Sequence, residues 1–178
     1  ILERAKLEEV YFDDPAMSEV CAHILQVFNE ACDLAEQLPA HTNDPVRFFS
    51  VLTFLMMRLK ALREGGVVMA PTSFICEDGT EHGVLVLVTK TRDSTDANYS
   101  VCIINTVEEK GLQYHASAVD PSDGAPMRNL AFEMNNIPND KILNTSFWFM
   151  VFRCAVRPDK RLNEAYMYDK CLPFLTSM

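Results

Sequence analysis

No stretch of this chain approaches the roughly 18 to 20 uninterrupted apolar residues that a bilayer-spanning helix requires, so no membrane span is expected. Positive charge is scarce and unclustered: 16 lysines and arginines stand against 25 aspartates and glutamates, for a formal charge of -9 and a pI near 4.9. A nucleic-acid or anionic-membrane surface depends on concentrated Lys and Arg, and this composition argues against both as partners. There is no glycine-rich phosphate loop and no dinucleotide fingerprint, which removes support for nucleotide-driven chemistry. The first residues, Ile1 to Glu9, are charged and helical in pattern, unlike a secretory leader. Internal repeats, low-complexity tracts and CxxC pairs are also missing from the sequence.

What is present suffices for one core. The chain has 178 residues, 48% of them hydrophobic, with mean hydropathy near zero. That size reads as a single globular domain over 1–178. A first residue that is Ile1, not Met, reads as a fragment or processed product, so the remainder of a larger polypeptide is one expected partner. Six cysteines, Cys21, Cys32, Cys76, Cys102, Cys154 and Cys171, are scattered mostly through apolar periodic segments. There a free thiol behaves as a small buried hydrophobe, which points to a reducing compartment and a cytoplasmic location.

Asp13-Asp14-Pro15 is a helix start, with Asp as cap and Pro in the first turn. Met17, Val20, Ile24, Val27, Ala31, Leu34 and Leu38 then recur at helical spacing, predicting an amphipathic helix over roughly 15–38. Asn43-Asp44-Pro45 repeats the signal before a second helix over 45–64, apolar nearly all round, which predicts burial on most sides. Gly65-Gly66 ends it. After the glycines the pattern becomes β: Val67 to Cys76 with a break at Pro71, an Asp78-Gly79 turn, Gly83 to Val88, Tyr99 to Ile104, and Leu112 to Val119. Met127 to Met134 suits either an edge strand or a helix. Thr145-Ser146 caps an apolar helix from Phe147 to Val156, and a last helix runs over roughly 160–171. The expected class is α+β: two N-terminal helices, a four- to five-stranded antiparallel meander packed on the central helix, and C-terminal helices.

His82 opens an apolar strand, where a rigid backbone can hold an imidazole as a general base. Asn105 ends the neighbouring strand, and in an antiparallel hairpin the start of one strand lies beside the end of its partner. A carboxamide there can fix the imidazole tautomer. Taken alone, each has a plainer reading, as the end of a turn and the start of one. Cys76, His82, Cys102 and His115 match none of the short paired spacings of zinc sites, so no metal or other cofactor is expected. Tyr114 and His115 either line the same cleft or alternate in and out of a strand, with alternation favoured. Trp148, within Phe147 to Phe152, reads as core.

The block from Asp44 to Thr106 resembles a papain-like or transglutaminase-like thiol hydrolase core in its order: central helix, strand, strand with His, strand with Asn. It covers about a third of the chain. The resemblance implies a nucleophilic cysteine at the N-terminus of the central helix, where the dipole favours a thiolate. Val46 or Arg47 occupies that place, and Ser50 lies a turn too deep. The implied function is a catalytically inactive thiol-hydrolase-like module that binds protein partners. The alternative is an active cysteine hydrolase in which Cys32 or Cys21 reaches the pair of His82 and Asn105.

Overall fold

The computed structural model describes residues 15–40, 44–76, 78–92, 98–105, 112–119, 124, 126–156 and 159–176. The fold is α+β. Helices α1 (Pro15–Ala40) and α2 (Pro45–Ala61) precede strands β1 (Val67–Ile75), β2 (Glu81–Lys90) and β3 (Tyr99–Ile104). A short hairpin, β4 (Ser117–Val119) and β5 (Pro126–Arg128), leads into β6 (Ala131–Ile137). Helices α3 (Asn139–Ile142), α4 (Thr145–Val156), α5 (Glu164–Tyr166), a π-helical turn (Met167–Cys171) and α6 (Pro173–Thr176) follow. Asp13-Asp14, His41 and Thr42 lie outside the described residues, so the first helix-start signal is represented only by Pro15.

The main sheet is antiparallel in the order β1-β2-β3-β6. Its fourth strand is therefore β6 and not the segment from Leu112 to Val119. That segment forms a 3-10 turn, Leu112–Tyr114, and then β4, which pairs only with β5 in a separate two-stranded ribbon. Pro71 does not break β1, which stays paired with β2 from Val67 to Ile75. The Cys76 amide donates to the Thr80 carbonyl, and the Lys90 amide to that of Gly66. Alternation from those bonds turns the backbone nitrogen of Pro71 to the outer edge, where the sheet needs no donor.

One face of the sheet is sealed. Val68, Ala70, Thr72 and Phe74 of β1 line up with His82, Val84, Val86 and Val88 of β2 and with Val101 and Ile103 of β3, all of them buried. Each large aliphatic side chain so buried contributes about 1.5–3 kcal/mol. β1 is the strand most closely packed by helices, through α1 and α4. Thr72 Oγ1 donates to the Val151 carbonyl at 3.0 Å, tying α4 to the sheet. Trp148 on α4 is fully buried and donates from Nε1 to the Ile142 carbonyl at 2.8 Å.

The second helix differs from its sequence pattern. Its start is as read, with Asp44 Oδ1 accepting from the Val46 and Arg47 amides at 3.1 Å each. Gly65, at φ 78°, follows its end. Yet α2 buries one stripe only: Phe48, Val51, Leu52, Leu55, Met56 and Leu59. Val46, Phe49, Phe54 and Met57 are 77%, 51%, 44% and 58% exposed. Composition cannot distinguish a helix covered on all sides from one with a surplus of outward apolar residues; α4 is the more enclosed of the two. The cap of α4 is Asn144, whose Oδ1 accepts from the Ser146 and Phe147 amides, and not Thr145-Ser146. The predicted last helix over 160–171 is represented by α5 and the π turn, with Asn163 Oδ1 accepting from the Tyr166 amide, and α6 follows beyond it.

Candidate functional site

His82 opens β2 on the sealed face, in step with Val84, Val86 and Val88, while Glu81 and Gly83 turn outward. Leu85 pairs with Ile104, so the next residue, Asn105, falls opposite Val84 and diagonal to His82. A diagonal neighbour is within reach of a long side chain. His82 Nε2 and Asn105 Oδ1 are 2.7 Å apart. The amide oxygen accepts, so His82 Nε2 carries the hydrogen. The two groups are 4% and 0% exposed, and the Phe74 ring lies 5.1 Å from the imidazole.

Two further side chains extend this pair into a chain whose direction is set at its far end. His115 Nδ1 lies 2.9 Å from the Asn129 carbonyl, which can only accept, so Nδ1 carries the hydrogen. Burial lowers the His115 pKa, more than the bond to Asn129 raises it, which favours the neutral ring. Its Nε2 is then an acceptor, and it takes the Tyr168 hydroxyl hydrogen at 2.7 Å. Burial pushes the Tyr168 phenol up to about 12, against a side-chain bond from Asn105 that lowers it. Asn105 therefore donates to the Tyr168 oxygen. The order is His82 to Asn105 to Tyr168 to His115 to the Asn129 carbonyl, each group donating once to the next. A buried network in which every linking group is satisfied is rigid and specific, and costly to break.

The structure brings together both residues named for a base and its orienting amide, and adds Tyr168 and His115. Tyr168 carries no sequence signal beyond being an aromatic in the last helical segment. Tyr114 and His115 do not alternate, because a 3-10 turn replaces the expected strand. Tyr114 stacks on Tyr168 at 4.5 Å while His115 bonds to it.

The cysteines are distributed differently. Cys32 is fully buried on α1, outside the cluster of core side chains around the sheet. Cys21 is half-buried on the same helix. Cys76 follows β1, bonded through its amide to Thr80, so the hairpin register puts it diagonal to His82; it is 3% exposed. The alternative of an active hydrolase names Cys32 or Cys21 as the thiol to reach His82, whereas the hairpin register puts Cys76 diagonal to it. Cys154 and Cys171 share a hydrogen bond that pushes the Cys154 thiol up and pulls the Cys171 thiol down. Cys102 alternates onto the opposite sheet face. Among the described residues no three His, Cys, Asp or Glu side chains gather in a way that could hold a metal ion.

At the His82 end the imidazole is buried against the Phe74 ring. At the His115 end a cavity of about 920 Å³ opens to the outside, lined by Tyr114, His115, Asn129, Phe132 and Glu133 among others. Chemically the arrangement can orient an imidazole and hold one hydrogen in each bond of the chain. Compared with protein-family models, with curated proteins and with solved structures, the chain has no match.

Proposed function

We propose that this domain is a thiol-hydrolase-like module without hydrolase activity, which serves a structural and protein-interacting role. The observation that carries the reading is the His82–Asn105 bond: the imidazole is oriented as a base would be, yet it lies buried at 4% exposure. A general base must come within hydrogen-bond reach of the proton it removes, and a polypeptide substrate cannot enter a site closed in this way. Val46, where the resemblance asks for a thiol at a helix N-terminus, is 77% exposed and has no nucleophilic atom.

A second reading, an active cysteine hydrolase, draws on the position of Cys76 beside His82. The two are separated by treating the protein with ubiquitin and peptide probes bearing a thiol-reactive electrophile, then mapping adducts by mass spectrometry. The inactive module gives no probe-specific adduct on any of its six cysteines. An adduct that disappears in His82→Gln establishes the hydrolase.

A further inference from the structure

We propose that the edge of β6 on which no described strand pairs takes up an extended, lysine- or arginine-bearing segment of a partner protein as an added strand, with the cavity beside His115 receiving an apolar side chain. This rests on the reading of the domain as an interaction module and gives its partner a chemistry.

The two edges of the main sheet are not equivalent. Outside β1, the Ile75 amide donates to the Leu162 carbonyl and Ile75 bridges Asn163, while α1 packs against the strand. Outside β6, no described strand pairs. The Asn105 amide donates to the Leu130 carbonyl, so Leu130, Phe132 and Met134 turn their backbone groups to β3. Ala131 and Glu133 therefore turn theirs outward, and among the described residues nothing meets them. Unpaired donors and acceptors along a strand are a template for another extended chain.

The cavity lies against this same edge, with Ala131, Phe132 and Glu133 in its wall. An added strand sends alternate side chains to opposite faces. One set would enter the cavity, where Tyr114, His115 and Phe132 offer aromatic surface. The other would lie over Glu133, which is exposed and whose carboxylate accepts from Ser100 on the far face. Two further carboxylates stand on the Tyr114 side: Asp169 accepts from the Tyr114 hydroxyl at 3.3 Å, and Glu164 from Gln113 at 3.1 Å. Glu133 and a formal charge of -9 also oppose edge-to-edge pairing of two copies, which favours a basic partner over a second copy of this chain.

The probe is a short end-blocked peptide of alternating leucine and lysine, titrated into 15N-labelled protein with backbone amides followed by NMR. Comparison peptides replace lysine by glutamate, or carry N-methyl groups on every leucine or on every lysine. Docking at the edge shifts the Ala131 and Glu133 amides, and the glutamate peptide binds at least about tenfold more weakly. Glu133→Gln weakens the lysine peptide several-fold. One of the two N-methylated peptides loses binding and the other keeps it, because a docked strand turns only alternate amides to the edge. Absence of shifts in β6, equal behaviour of the two N-methylated peptides, or peptide-independent dimerisation through β6 overturns the proposal. Failure here leaves the thiol-probe result standing, and a labelled cysteine there leaves the β6 titration readable.

Discussion

The two histidines of the buried chain share one network and differ in what lies beyond them. His82 donates into it from a strand of the sealed face, with Phe74 against its ring. His115 closes it on the Asn129 carbonyl and faces a cavity. The first position is held by a strand on the sealed face and by a ring contact, which suits a group kept for structure. The second is equally buried, at 4% exposure, and differs in forming part of a cavity wall. The contrast teaches that equally buried groups in one network can have different surroundings: one imidazole packs on an aromatic ring of the core, the other helps wall a cavity.

Breaking the middle of the chain should cost most. Asn105→Ala leaves the His82 N–H and the Tyr168 oxygen without the partner each uses, both inside the core. It is expected to lower stability by about 2–4 kcal/mol, read as a lower urea midpoint at unchanged m value. Tyr168→Phe removes the link nearer the cavity, where water can take over part of what His115 loses. Its expected cost is smaller, about 1–3 kcal/mol. A Tyr168→Phe loss larger than that of Asn105→Ala would reverse the ranking of the closed and open ends.

The pH dependence sharpens the comparison further. His115 has a folded pKa lowered by burial from 6.5, so the unfolded chain takes up its proton first as pH falls. Its contribution is present above about 6.5 and is lost on acidification through and below that value. Denaturation midpoints measured between pH 5 and 8 should show that slope, and His115→Gln should flatten it. The smallest effect is expected at the helix start that stands where a nucleophile was sought. Val46→Ser, at 77% exposure, should change stability by no more than about 0.5 kcal/mol, measured by the same unfolding titration.

Much of this architecture was legible because it is written locally. Asp44-Pro45 starts a helix through its own side chain and ring, and Gly65 ends the segment with a left-handed backbone. The Asp78-Gly79 turn and the alternation beyond it set the β1–β2 hairpin. The meeting of His82 and Asn105 was readable for the same reason, since adjacent strands in a hairpin have a calculable register. The segment from Leu112 to Val119 was misread because β-rich composition does not say which strand a segment will pair with. β6 won the place beside β3 from farther along the chain. Tyr168 was invisible because its role depends on a helical turn folding back onto Asn105 and His115, 63 and 53 positions earlier in the chain.

What the sequence alone determined is the class, the start of α2 at Asp44-Pro45, the β1–β2 hairpin and the acidic net charge, because periodicity and capping act over a few residues. Only the tertiary structure decided that β6 completes the sheet, that α2 leaves half its apolar side open, and that Tyr168 joins two histidines into one directed chain. Those outcomes come from long-range packing, in which burying polar groups without partners is too costly to tolerate, and the partners are chosen by where the whole chain closes on itself.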